Sequence, residues 1–492
     1  MPPTLIAIDA GTTGVTCVLF DTELRPLARA YREFEQSFPR PGWVEHDSRA
    51  ILDAVDATLG EILGLPEAGE AVAIGITNQR ETVFPKDPAI DECLRPGIVW
   101  QDRRTAERCR ELKEAGHAGL VAERTGLLLD PYFSATKIEW MLEHHPQMRE
   151  RAEGGGVLFC TVDALIVDHL TEQEVCATDP TNASRTMLYD IQRRDWDPEL
   201  LELFGLRREW LPEVRPSAGD FGTTSKYLFE REIPIRGVAG DQQAALFGQG
   251  CTEPGGFKST YGTGCFLVLN TGAERVTSER GLLTTLAVAA DGSPCYALEG
   301  SVFVGGAVIQ WLRDELGLFA DAAESEALAA QVPDTGGVVL VPAFTGLGAP
   351  YWDADARGAI LGLTRGTGRA HLARAALEAI AFQNAELVEL LRQESGLAVE
   401  ALLADGGAAR NDLLMQLQAD FAGLVVVRPS EVEATARGAA ALAGLGSGAI
   451  TDPGGTAGVG GEAKRFPPAL GDEERRSRLT EWRAAVARVL SR

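Results

Sequence analysis

The chain has 492 residues, 45% of them hydrophobic and 24% charged, which is enough for two globular domains each with its own core. A net charge of −25 leaves no basic stripe for a nucleic-acid surface, and no run approaches the ~18 to 20 apolar residues that a membrane span requires. The acidity reads as a solvated, self-repelling coat that favours solubility.

At the N-terminus Met1-Pro2-Pro3-Thr4 leads straight into the strand-like Leu5-Ile6-Ala7-Ile8. No basic stretch precedes a long apolar core there, so no signal peptide is expected. The strand ends at Asp9, the turn Ala10-Gly11-Thr12-Thr13-Gly14 follows, and Val15–Phe20 forms a second strand. Glycines let backbone N–H groups approach an anion, and threonine hydroxyls add donors without charge. Asp9, at the end of a buried strand, suits Mg²⁺, because hard cations prefer oxygen ligands. A plain hairpin turn favours the same residues, so the motif alone leaves both readings open. Ala71–Ile76 is a further short strand-like run.

About halfway along, Thr260-Tyr261-Gly262-Thr263-Gly264 followed by Cys265–Asn270 repeats the strand–turn–strand pattern. The echo implies two related domains. We place the boundary where Phe247-Gly248-Gln249-Gly250 runs into Glu253-Pro254-Gly255-Gly256, giving domains 1–248 and 249–492. Gly305-Gly306 then opens a helical run through Gln310, Trp311 and Leu312 to Gly317, where tight helix packing is the alternative explanation of the glycines. Val338–Val341 and Val425–Val427 read as strands. Between them, residues 371–395 read as a helix with Leu372, Ala376, Ile380, Leu387 and Leu391 along one face and Gly396 as the stop. Ala404-Asp405-Gly406-Gly407 leads through Ala408-Ala409-Arg410-Asn411 into the helix-like Asp412–Phe421, a platform suited to a nucleoside, although Asn411 or Asp412 also fits a helix cap. Gly454–Gly461 looks like a phosphate loop, but it lacks the Gly-Lys-Ser/Thr ending and precedes Phe466-Pro467-Pro468, so a surface loop is expected. Leu479, Trp482, Val486, Val489 and Leu490 mark a last helix, and the alternation as a whole is that of an α/β protein. The eight cysteines (17, 93, 109, 160, 176, 251, 265 and 295) form no Cys-x-x-Cys and read as reduced thiols of a cytoplasmic protein.

Longer strings narrow the reading. Pro41–Asp47 (PGWVEHD), Thr77–Thr82 (TNQRET), Asp130–Ser134 (DPYFS), Gly240–Phe247 (GDQQAALF), Tyr261–Phe266 and Pro342–Trp352 run through nearly the whole chain. With the two hairpin turns and the late Asp-Gly-Gly, they resemble the FGGY carbohydrate kinases of the sugar kinase, actin and heat-shock chaperone ATPase superfamily, and among them the members that act on glycerol. The resemblance implies two ribonuclease-H-like (actin-like ATPase) domains around a central catalytic cleft. It also implies ATP-dependent phosphorylation of glycerol with Mg²⁺, a homo-oligomer (dimer or tetramer), and neither nucleic acid nor membrane insertion. It assigns Arg80, Glu81, Tyr132, Asp241 and Gln242 to the substrate hydroxyls, Trp100 and Phe266 to an apolar wall, and Asp241 to the role of general base. It places Thr12, Thr13, Gly14 and Thr263 at the nucleotide phosphates, Gly306, Gln310, Gly407 and Asn411 at the rest of the nucleotide, and Asp9 near the metal. The donor and acceptor chemistry is consistent: carboxylates and the Gln oxygen accept, while Arg, Tyr and the Gln nitrogen donate. By themselves, Arg80-Glu81 would also read as a surface charge pair and Trp100 and Phe266 as core packing.

Two departures stand out. The family branch usually reads Asp-Gln-Gly-Thr-Thr-Ser-Ser/Thr-Arg in the first turn, whereas this chain has Thr16 in place of the arginine. Thr223–Arg231 carries neither the glycine-rich basic loop that binds fructose 1,6-bisphosphate in some members nor the phosphorylatable histidine of others, so activation by either route is not expected. The competing readings are a kinase of the same family acting on another polyol or sugar, a nucleotide-dependent binding or scaffold protein, and a weakly active paralogue.

Overall fold

Leu5, Ile6, Ala7 and Ile8 are all fully buried, because the strand they form, β1 (Thr4–Ala10), is covered on both faces. In the computed structural model, which describes residues 2–90, 92–289, 291–429, 433–451 and 463–491, β1 pairs antiparallel with β2 (Gly14–Asp21), and β2 antiparallel with β3 (Pro26–Glu33). On its other side β1 runs parallel to β4 (Ala71–Asn78), which runs parallel to β5 (Ile235–Gly240), giving the order β5-β4-β1-β2-β3. Side chains alternate along β1. Ile6 and Ile8 join Ile51, Val55, Leu59 and Ile62 of the helix Ser48–Leu63. Leu5 and Ala7 join Ala436, Ala439, Ala440 and Ala443 of the helix Ala434–Ser447.

That second helix belongs to this unit although it comes late in the chain. One unit takes in the residues up to Thr252, the segment Thr284–Tyr296 and the helix Ala434–Ser447; the other contains Glu253–Leu283 and Ala297–Glu433. The contiguous division at residue 248 therefore differs from the structure in two returning segments. The reason is backbone packing. A Cβ on Gly75 of β4 would lie 2.0 Å from the Ala439 carbonyl oxygen, and one on Gly237 of β5 would lie 2.5 Å from the Ala443 nitrogen. The alanine-rich helix lies directly on the sheet through glycines far away in sequence.

The second unit repeats the arrangement. β6 (Phe257–Tyr261) pairs antiparallel with β7 (Cys265–Gly272), which neighbours β8 (Tyr296–Val302). β6 also runs parallel to β9 (Ala401–Asp405), and β9 parallel to β10 (Val425–Arg428), so five neighbouring strands read β8-β7-β6-β9-β10. The sequence echo is thus a repeat of whole sheets, the expected pair of ribonuclease-H-like α/β domains. The helix Arg369–Ser395 buries Ala376, Ile380, Leu387 and Leu391, and stops at Gly396 in the left-handed conformation (φ +65°). The last helix spans Asp472–Val486 and buries Leu479, Trp482 and Val486; Val489 and Leu490 lie beyond its end, packed against the same core. Gly454–Gly461 lies outside the described residues. Among the described residues, no helix is long and apolar enough to cross a membrane.

Candidate active site

Most of the residues assigned to the substrate converge in the first unit. Arg80 and Glu81 follow the end of β4, and Asp241 and Gln242 open the helix Asp241–Gly248 directly after β5. Because β4 and β5 run parallel side by side, their C-terminal ends bring these pairs together. Arg80 Nε lies 3.2 Å from Asp241 Oδ1 and 3.8 Å from Glu81 Oε1, and Arg80 Nη1 donates to Gln243 Oε1 at 3.2 Å. A Cβ at position 240 would come within 2.7 Å of Arg80 Cγ and Cδ, so any larger residue there would displace Arg80. Arg80 and Glu81 are 2% exposed, whereas the Asp241 side chain is 30% exposed, so of the three it presents its carboxylate most openly. That carboxylate accepts from the Gln242 N–H at 2.7 Å and from Gln242 Nε2 at 3.1 Å.

Trp100 and Tyr132 meet edge to face with centroids 5.7 Å apart. Trp100 Nε1 donates to Thr12 Oγ1 at 3.0 Å, which ties the expected apolar wall to the expected phosphate turn. That turn closes with Gly11 N donating to Gly14 O at 3.0 Å, and the Thr13 carbonyl accepts from Phe34 N. Asp9 stands half-buried at the end of β1, in register with Thr16 on β2 and Thr77 on β4.

Sequence reasoning missed the connectors. Gln79 donates through its N–H to the Ala10 carbonyl and through Nε2 to the Gly11 carbonyl at 3.0 Å, so the residue before Arg80 holds the phosphate turn. The same Nε2 lies 3.3 Å from His46 Nδ1. Burial pushes His46 down to about 4, so at neutral pH the ring is uncharged and Nδ1 serves as the acceptor. Thr82 Oγ1 donates to Gln79 Oε1 and accepts from Trp100 N. Gln79, Thr82 and His46 all lie inside the matching strings, but nothing local in them says which residue supports which.

The second unit gathers the remaining residues assigned to the nucleotide around one cavity of about 410 Å³, lined by Thr263, Gly306, Gln310, Gly407 and Asn411 among others. Here Gly262 N donates to Gly264 O at 2.9 Å, the counterpart of the Gly11–Gly14 bond. The start of the helix Ala307–Asp314 bonds back onto this turn: Gly306 N to Gly262 O at 2.8 Å and Ala307 N to Thr263 O at 3.1 Å. Gly406 sits at φ +87° with a would-be Cβ 2.6 Å from the Tyr261 carbonyl oxygen, while Gly407 has nothing within 4 Å of its own and opens the cavity floor. Asn411 fits both sequence readings. It caps the helix Asp412–Ala422, Oδ1 accepting from Leu414 N at 2.9 Å, and it also faces the cavity, where its Nδ2 approaches Ser325 Oγ at 3.5 Å. Ile309, Leu414, Ser325 and Glu326 also line it and carried no sequence signal. Phe266 is half-buried on β7, opposite Thr260. A separate cavity of about 320 Å³ near Phe382 and Arg478 holds none of the assigned residues, and its Glu378 is already paired with Arg374 and Arg478.

The N-terminal domain of the FGGY family of carbohydrate kinases matches residues 4–248, and the C-terminal domain matches residues 257–447. The chain is 51% identical over 489 residues to a glycerol kinase of Shewanella amazonensis, covering 99% of each, and 49% identical over 490 residues to glycerol kinase 2 of Thermotoga maritima, covering 99% and 98%. Among solved structures, the glycerol kinase of Plasmodium falciparum with ADP superposes with a TM-score of 0.91 at 34% identity, over 100% of this chain and 99% of that one. The chain therefore belongs to the FGGY family of carbohydrate kinases.

Proposed function

We propose that this protein transfers the γ-phosphoryl group of ATP to glycerol, giving sn-glycerol 3-phosphate and ADP. The observation that carries the reading is the Arg80–Glu81–Asp241 cluster, in which buried Arg80 lies between the buried carboxylate of Glu81 and the partly open one of Asp241, in a chain about half identical end to end to relatives named glycerol kinase. Arg80 and Tyr132 donate to the substrate hydroxyls and Glu81 accepts. Gln242 reaches the same hydroxyls, while Trp100 and Phe266 pack against the carbon chain. Such a site, built to bond hydroxyls, rejects analogues lacking one by ~10⁴- to 10⁵-fold. Asp241 takes the proton of the attacking terminal hydroxyl, a contribution of about 10²- to 10⁴-fold, and in-line positioning of the two reactants contributes up to about 7 to 11 kcal/mol.

Thr12, Thr13, Gly14 and Thr263 hold the phosphates, and Gly306, Gln310, Gly407 and Asn411 hold the rest of the nucleotide. The half-buried carboxylate of Asp9 suits a hard cation that is carried mainly by phosphate oxygens. Mg²⁺ bound there would neutralise charge on the β- and γ-phosphates. We place the enzyme in the cytoplasm as a homo-oligomer, a dimer or a tetramer. The test is ADP release from ATP and Mg²⁺ across a panel of polyols and sugars. Turnover with glycerol above all others is expected; turnover with another polyol alone would sink the substrate and keep the chemistry.

Thr16 favours a second reading, a weakly active paralogue. It is buried in register with Asp9 and Tyr31, where the family branch carries an arginine. A charge-assisted phosphate contact is worth about 1.5 to 3 kcal/mol, so Thr16→Arg is expected to lower the KM for ATP about 10-fold or more. An unchanged KM in steady-state kinetics would remove this account of the altered turn.

A further inference from the structure

Two fully buried cations lie behind the polyol residues without belonging to the substrate set: Lys137, on the helix Ser134–His144, and Arg185. Arg185 Nε donates to Glu81 Oε1 at 2.6 Å, and its guanidinium lies 5.7 Å from the ring centre of Tyr132 and 5.3 Å from that of Phe133. Lys137 Nζ donates to the Tyr132 carbonyl at 2.7 Å and to the Glu81 carbonyl at 3.3 Å. Ser134 Oγ adds a bond to the same Glu81 carbonyl at 2.9 Å. One cation thus joins Glu81 and Tyr132 through their backbones, and the other joins them through their side chains.

We infer that Lys137 and Arg185 are positioning residues of the polyol pocket, which fix Glu81 and Tyr132 relative to each other and so set the affinity for the substrate hydroxyls. The inference rests on the reading of Glu81 and Tyr132 as substrate residues. Glu81 gives the arrangement its purpose. Its φ of +64° is a left-handed conformation that a residue with a long side chain keeps only when its surroundings enforce it. Here three donors on its carbonyl and carboxylate do so, from Ser134, Lys137 and Arg185. A carboxylate 2% exposed also needs charge compensation, and Arg80, at 3.8 Å, is shared with Asp241 and Gln243. Arg185 supplies the closer partner. Tyr132 is held on its other side as well: its N–H donates to Asp130 Oδ1 at 2.9 Å, and Asp130 is held by Arg103.

Lys137 adds a dependence on pH. Burial pushes its amine down to about 7; Glu81, Asp102 and Asp130 pull it back up, and Arg103 pushes it further down. Protonated, it makes charge-assisted bonds to both carbonyls; deprotonated, it makes weaker ones. Glycerol affinity should therefore fall as pH rises through about 7, and this inflection should vanish in Lys137→Met.

The experiment compares Lys137→Met and Arg185→Met with the wild-type full-length enzyme by steady-state kinetics in both substrates across pH 6 to 8. The expected result is a glycerol KM raised about 10- to 100-fold, with the KM for ATP within about twofold, since the second unit's cavity is untouched. If either variant fails to fold, Ser134→Ala and Arg185→Lys replace it, and the glycerol KM should rise in the same direction by a smaller factor. Lysine cannot reproduce both the directed Nε–H and the planar face over the rings. An unchanged glycerol KM, or equal rises in both KM values, overturns the inference. If the wild type itself shows no glycerol-dependent turnover, it is the proposed function that fails.

Discussion

Replacing Asp241 with asparagine is expected to lower kcat with glycerol about 10²- to 10⁴-fold, roughly 3 to 5 kcal/mol of transition-state stabilisation, while leaving ATP affinity within about twofold. Asparagine matches aspartate in shape, and its carbonyl can still accept from Arg80 Nε and from the Gln242 N–H. What it cannot do is take a proton at neutral pH. The change therefore separates basicity from positioning, which a truncation to alanine would not. Nucleotide affinity, measured by calorimetry with a non-hydrolysable analogue, provides the control, because the second unit's cavity, the proposed nucleotide site, contains none of these atoms. A variant that retains more than a tenth of wild-type kcat would remove Asp241 as base and leave the reaction to positioning and charge.

The second large effect is structural. Gly438→Ala is expected to cost about 3 kcal/mol or more of stability, read as a fall in the denaturation midpoint. A Cβ at Gly438 would lie 1.9 Å from the Ala244 carbonyl oxygen and 2.6 Å from its carbon, and both are backbone atoms that no rotamer change can move. Ala244 lies in the helix Asp241–Gly248, so relief of the clash pushes the element that begins with the proposed base. A displacement of ~1 Å at reacting groups can cost about 10²-fold in rate, so the remaining folded enzyme should also be slow. Gly60→Ala is the matched control. Gly60 sits within the exposed side of the helix Ser48–Leu63 with nothing within 4 Å of its would-be Cβ. There alanine should stabilise by about 0.5 to 1 kcal/mol. Equal behaviour of the two variants would refute the packing account.

The contrast between these glycines shows where the sequence was legible. The turns at Gly11–Gly14 and Gly262–Gly264 could be read directly, because a tight turn between apolar strands is a local problem with few residue solutions. The repeat of two sheets followed from those turns, and the long helix Arg369–Ser395 from its apolar stripe and its glycine stop. The strings around Arg80, Tyr132 and Asp241 supplied the residues assigned to substrate through a family resemblance, since their chemistry lies in residue type and order.

What the sequence by itself determined, then, was the α/β class, the doubled architecture, and the residues assigned to substrate and nucleotide. Tertiary structure alone decided where those residues stand and what supports them. The helix Ala434–Ser447 is mostly alanine and glycine, so its pattern could not say that it returns to the first unit; Gly75 and Gly237, its seats on the sheet, lie some 200 to 360 residues earlier. Lys137 and Arg185 read as ordinary charged residues until their burial beside Glu81 and Tyr132 shows otherwise. Asn411 could not be divided between cap and ligand, because in the fold it both caps the helix Asp412–Ala422 and lines the second unit's cavity. The physical reason is common to all three. Turn geometry and helical periodicity act over a few residues, whereas burial and charge pairing depend on contacts between segments that only the folded chain brings together.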